Sequence, residues 1–249
     1  MPNRARAGSS PTRLLVADGC FAFRAGLRQA LEREGDIVAA EAGTGAEAVR
    51  VASSVAWDLA LIDVRFSDQS GIDVCQQIRS ANPAGPALVL SCADWDVYLA
   101  GSVAVGARGF VLKHAQGDQL LALSHQALMG PVFTPSQLAR ARAFGASVVG
   151  RLELASPREL DTLKLLAVES CNAETAKKLG VSENTVQKHV SALMRKLRVR
   201  SRSALIAFLF QHRLDEEFWS SQWWKHEARQ TPDSGEDGYD LLSHGLFSR

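Results

Sequence analysis

No two of the four cysteines in this 249-residue chain stand three positions apart, so the sequence has no C-x-x-C pair. Cys20, Cys75, Cys92 and Cys171 are too scattered for a zinc site, and they read as buried free thiols in a reducing cytoplasm. The six histidines are equally dispersed and form no transition-metal constellation. No apolar run approaches the roughly 20 residues that span a bilayer, so no membrane partner is expected. The opening MPNRARAGSSPT carries two arginines without a following apolar stretch, which argues against a signal peptide and predicts a disordered segment over 1–12. Neither a nucleotide-binding loop nor a metabolic active site is legible, and the chain is not expected to be an enzyme.

A net charge of +1 leaves almost no overall charge of either sign, but that balance conceals a division. Residues 12–130 hold 9 basic and 13 acidic side chains, residues 154–213 hold 11 and 5, and residues 214–249 hold 3 and 8. Segregation of this kind points to one segment built for a polyanion beside others that are not. The length suits two domains, and a composition of 46% hydrophobic and 22% charged residues is that of a soluble globular protein.

The basic segment carries the sharpest signal. Ala173 to Leu179 has helix-forming composition, Gly180 supplies a left-handed stop, and Ser182 is placed to cap a second helix starting near Glu183. In that helix Val186, Val190, Leu193 and Leu197 make one apolar stripe, while Gln187, Lys188, Ser191 and Arg195 fall opposite. From Asn184 to Leu214 there is no acidic residue. A helix with one buried stripe and one basic face suits a major groove, and its cations displace counterions from phosphates. An amphipathic helix in an ordinary bundle would show the same stripe; the turn spelling G-V-S-x-x-T-V favours DNA.

Leu154 to Arg213, with SPREL at its start, ETAKKLGVSENTVQKHV in the middle and MRKLRVRSR after it, resembles the LuxR-type helix-turn-helix over the full four-helix module. The resemblance implies that Gln187, Lys188 and Ser191 reach base edges of double-stranded DNA. Thr185, Lys196, Arg198, Arg200 and Arg202 would touch phosphates. The helix SALIAFLFQ (203–211) is more apolar than a surface helix should be, with Leu205, Ile206, Leu209 and Phe210 over a wide arc, and this predicts a homodimer.

Residues 13–130 alternate short apolar runs with helical patterns. LLVA (14–17), DIVAAEA (36–42), LALI (59–62), ALVL (87–90) and GFVL (109–112) read as strands, separated by candidate helices over 23–33, 44–54, 72–80, 98–105 and 117–128. The expected fold is a doubly wound α/β domain with a five-stranded parallel sheet, flavodoxin-like, followed by a small all-α four-helix domain. Chemistry in such sheets collects at the C-terminal strand ends. Those ends offer Asp18, Asp63, Ser91 and Lys113. Two carboxylates suit a hard cation such as Mg²⁺, an aspartate can attack a phosphoryl group, and a hydroxyl and an ammonium can bind its oxygens.

The spellings LLVADG, LIDVR, LVLS and GARGFVLK resemble the receiver domain of two-component response regulators, in the NarL/FixJ-like branch that carries a LuxR-type output. The resemblance implies that Asp63 is the phosphoacceptor, with a histidine kinase as a partner. Asp18, Asp63 and the carbonyl of Arg65 would be the Mg²⁺ ligands, Ser91 and Lys113 the switch pair, and Phe110 the switch aromatic. The sequence departs from that pattern where the first of two acids is Ala17, where Gly19 replaces His, at Phe66-Ser67 for Met-Pro, and at Ser70 for Asp. Losing an acid predicts weak Mg²⁺ binding and slow phosphorylation.

Gly130-Pro131 closes the receiver, Pro135 to Ala143 suits a short helix, and FGASVVG (144–150) has the composition of a flexible link within 131–153. Such a link would let the receiver occlude the basic helix. In the tail, 214–249, Trp219 and Trp223 share a helix face that would extend the last helix and pack on its own domain in preference to a partner or ligand, and PDSGEDGYD after it is expected to be disordered. Three alternatives stay open: a regulator switched by a ligand, a partner or dimerisation without phosphorylation, a phosphoryl-accepting sink, and a scaffold whose basic helix binds an acidic protein. The sequence reads best as a DNA-binding transcriptional regulator.

Overall fold

Why the first half folds as a sheet is visible in its strands. β1 (Arg13–Ala17), β2 (Ile37–Ala42), β3 (Leu59–Asp63), β4 (Ala87–Ser91) and β5 (Gly109–Leu112) are short and apolar, and three of them are almost wholly buried. All neighbours pair in parallel, in the order β2-β1-β3-β4-β5. Helices α1 (Phe21–Arg33), α2 (Gly45–Ala52), α3 (Gly71–Ala81) and α4 (Asp96–Ala104) are the crossovers between strands, and with α5 (Gly117–Met129) after β5 they cover both faces. The computed structural model describes residues 11–115, 117–168, 171–221 and 223–226. The expected disorder of 1–12 and of the segment after Pro232 falls largely or wholly outside them. Among the described residues no helix is long and apolar enough to cross a membrane.

Residues 144–150 do not form the flexible link that their composition suggests. Thr134 caps α6 (Pro135–Phe144) through a capping box with Gln137, and Pro135 occupies the first turn. The helix then runs on through a π-turn (Gly145–Val149) into the short α7 (Gly150–Leu152). Val148, Val149 and Leu152 are buried, so tertiary packing overrides the local preference of two glycines. α6 lies along α4, where Arg140 grips Asp94 and Asp96.

The helical half comprises α8 (Pro157–Leu166), α9 (Asn172–Leu179), α10 (Glu183–Lys196) and α11 (Arg202–Gln211). Ser156 and Glu159 form a capping box at α8, and Gly180 ends α9 at φ 65°, as the sequence predicts. The tail does not extend α11. Arg213 takes a left-handed φ of 55° and Leu214 is buried, so the chain turns back into α12 (Glu216–Ser220) and α13 (Trp223–His226). Nor does the tail pack on its own domain alone, because α13 rests on α3 and α4 of the sheet domain.

Candidate acidic pocket and nucleic-acid interface

Parallel pairing brings four of the expected residues to one edge of the sheet. Asp63 ends β3 and Ser91 ends β4, Asp18 follows β1, and the N–H of Lys113 donates to the carbonyl of Ser91. The Lys113 ammonium lies 2.6 Å from Asp18 Oδ2 and 2.8 Å from Asp63 Oδ2, and the Phe23 ring sits 4.8 Å from it. Asp18 is fully buried, and its other oxygen accepts from the Cys20 N–H at 2.8 Å. Burial pushes the Asp63 carboxyl above its ordinary range; Lys113 works against that shift and Asp18 adds to it. Burial alone would lower the Lys113 ammonium, but the two carboxylates outweigh it and hold its pKa above the usual lysine value.

The backbone around the pocket is tightly set. A Cβ at Gly71 would collide with the carbonyl of Asp63, so the loop after β3 closes only over a glycine. The Arg65 carbonyl faces the β1–α1 loop, 3.8 Å from where a Cβ of Gly19 would stand. Two carboxylates and one carbonyl beside them suit a hard cation that keeps its remaining waters. Lys113 competes for the same oxygens. Among the described residues no group of three acidic, histidine or cysteine side chains is assembled for a metal.

Ser91 and Phe110 stand apart from this cluster. The Ser91 hydroxyl donates to the carbonyl of Ala93 at 2.7 Å and is turned into its own loop. Phe110 is buried, and its carbonyl accepts from Gln137 of α6. Three participants escape sequence reading. Arg24 donates to the carbonyl of Asp18 and pairs with Glu41, Phe23 lies against Lys113, and Asp68 accepts from the N–H groups of Gly45 and Ala46 at 2.9 Å each. Burial opposes ionisation of Asp68, yet these N–H groups prevail and hold its pKa below the ordinary value. Each contact joins residues far apart along the chain or types without a local signature; only the helix-N-terminal preference for carboxylates hints at Asp68.

The second site is α10. Ser182 accepts from the Thr185 N–H, and Val186, Val190 and Leu193 are buried. Gln187, Lys188, Ser191, Arg195, Arg198 and Arg200 are exposed, so the sheet domain does not cover this face. Thr185 is half-buried, with its hydroxyl 2.9 Å from that of Ser182. Two contacts fix the helix against α8: Thr162 to His189 Nδ1 at 2.8 Å, and Lys196 to Glu159 at 2.6 Å. Burial disfavours the Glu159 carboxylate, but Lys196 and Ser156 outweigh it and lower its pKa. Lys196 and Arg202 are thus already engaged, the latter with Asn172 at 2.6 Å.

Residues 14–125 match the family described as response regulator receiver domain, and residues 154–209 match bacterial regulatory proteins of the luxR family. The chain is 32% identical over 209 residues to the nitrate/nitrite response regulator protein NarP of Escherichia coli K12, an alignment spanning 82% of this chain and 97% of that one. The chain is a response regulator of the NarL type. NarL from the same strain is 29% identical over 210 residues, with the same coverage. The structure of an RcsB–DNA complex aligns with a TM-score of 0.53 and 23% identity over 81% of this chain and 98% of that one, which speaks to fold. The regulator therefore joins a receiver to a luxR-type DNA-binding helix-turn-helix, and its function is transcriptional regulation.

Proposed function

We propose that the regulator reads double-stranded DNA as a homodimer through α10, under control of a receiver phosphorylated weakly at Asp63 by a histidine kinase. Gln187, Lys188 and Ser191 meet base edges, while Thr185, Arg198 and Arg200 bind phosphates. Lys196 reaches a phosphate only by sharing its ammonium with Glu159. One observation carries this reading: the polar basic face of α10 is exposed while its apolar stripe is buried and its axis is pinned to α8.

In the receiver, Asp18, Asp63 and the Arg65 carbonyl would hold Mg²⁺, which when bound neutralises the carboxylates that otherwise repel a phosphoryl donor. An Asp63 oxygen forms the new bond to phosphorus as the bond to the donor breaks, and the departing donor carries away the electron pair. Lys113 then binds a phosphoryl oxygen, and Ser91 must leave Ala93 to bind another. The Phe110 ring, packed beside β4, is the aromatic that would report this change.

The DNA reading is tested by Lys188→Ala. The variant should lose about 1–3 kcal/mol of operator binding and discriminate less between operators and unrelated duplexes. Equal affinity and selectivity in a fluorescence-anisotropy titration would refute the groove assignment. Measuring the parent across a range of salt concentrations distinguishes DNA from an acidic protein partner, because counterion release makes duplex binding fall steeply with salt.

A further inference from the structure

Four large aromatics crowd into seven residues of the tail, beyond residue 209 where the luxR-family match ends. Phe218 stacks on Trp224 with centroids 5.2 Å apart, and Trp219 and Trp223 meet Phe218 edge-on. The Trp224 indole N–H and the Ser221 hydroxyl both donate to the carbonyl of Phe218, which ties both residues to α12. All four rings are buried. At about 150–250 Å² each, such rings can contribute an area on the scale of a domain interface.

The place where Trp223 is buried belongs to the receiver. A Cβ at Gly101 in α4 would stand 3.1 Å from Trp223 Cε2 and 3.2 Å from its Nε1. A glycine inside a helix weakens that helix, and here its bare backbone admits an indole. Two further contacts grip the corner before α4: Arg213, at the end of the output domain, lies 5.1 Å from the Trp95 ring, and Arg140 of α6 holds Asp94 and Asp96. Lys164 of α8 sits 5.6 Å from the Trp219 ring, so the aromatic cluster touches both domains.

We propose that the segment from Arg213 to Trp224 is an intramolecular strap that clamps the output domain onto the α3–α4 face of the receiver. Trp223 is its anchor and Gly101 its socket. The strap leaves the DNA-reading face of α10 open while it holds one domain orientation. Residues 94–96 lie three to five positions after Ser91, so the gripped corner also ties the receiver switch to the output domain. That last consequence rests on the functional reading of the pocket given above; the clamp itself does not.

Trypsin cleavage of the full-length regulator at Arg140, Arg142 and Arg151, without any phosphodonor, reads the clamp directly. Trp223→Ala should speed cleavage by about five- to thirtyfold, the factor for one or two kcal/mol of lost docking. Gly101→Leu, whose side chain would fill the space the indole occupies, should act in the same direction although it favours the helix. Combining Gly101→Leu with Trp223→Ala, which vacates that space, should recover part of the protection. Circular dichroism and DNA binding through α10 serve as fold checks. Cleavage within twofold of the parent for both folded single variants would overturn the strap. Because no phosphoryl group is involved, a receiver that resists phosphorylation leaves the result unaffected.

Discussion

At the scale of single residues, Ala17 and Asp18 show how one side chain alters a charged site. Both are fully buried, and the two carboxylates of the pocket already share one lysine. Introducing Ala17→Asp would bury a third carboxylate beside two that already share Lys113, and the nearby Arg24 guanidinium is already held by Glu41 and the Asp18 carbonyl. A buried unpaired carboxylate costs several kcal/mol unless it protonates or gains a partner. Ala17→Asp should therefore lower the thermal midpoint in chelator, and added Mg²⁺ should restore more of the loss than it adds to the parent. It should also speed labelling of Asp63 by a small phosphodonor. Thermal melts with and without Mg²⁺ check the first outcome; a destabilisation that Mg²⁺ leaves untouched would remove Asp18 and Asp63 as metal ligands.

Among the elements, α10 and α11 differ in how much apolar surface they carry and where they put it, α11 being the more apolar of the two. α10 buries its stripe entirely and keeps a polar face outside. α11 buries Leu205, Phe208 and Leu209, leaving Ile206 half-exposed and Phe210 64% exposed. The residual apolar surface is thus smaller than the arc in the sequence implied, since most of it closes the output domain's own core. What remains centres on Phe210, where a two-fold contact would place the same ring from both protomers. Phe210→Asp should weaken self-association by at least tenfold without unfolding the monomer, because the ring is not part of the core. Analytical ultracentrifugation gives the result, and an unchanged dimer constant would move the interface elsewhere.

For the whole molecule, the joint between domains carries a titratable group. His212 packs edge-on against Phe208 and Phe144, with ring centroids 4.7 and 6.1 Å away. Burial lowers its pKa, Arg151 lowers it further, and Asp96 of the receiver partly opposes both. A depressed histidine pKa favours the neutral ring in the folded protein. Its stabilising contribution is present above the ordinary value of 6.5 and is lost as pH falls through the folded-state value. Thermal stability should fall from pH 7.5 toward pH 5, and His212→Gln should flatten that part of the curve. Identical slopes for the two proteins would assign the pH dependence to other groups.

Legible along the chain alone were the alternation of strands and helices, the strand-end positions of Asp18, Asp63, Ser91 and Lys113, and the cap, stop and stripe of α10. These are local matters: hydrophobic period, a left-handed glycine at 180 and an N-cap serine at 182 are set within a few residues of one another. Packing of the folded chain decided that 144–150 is helical, that Ser91 turns toward Ala93, and that Lys196 and Arg202 are already paired. It also decided that the tail crosses to the receiver. Glycines at 145 and 150 weaken a helix in isolation, and only the burial of Val148, Val149 and Leu152 reverses that preference. Trp223 meets Gly101 across 122 positions of chain, and no periodicity in a sequence encodes which distant helix leaves a bare backbone for an indole to rest on.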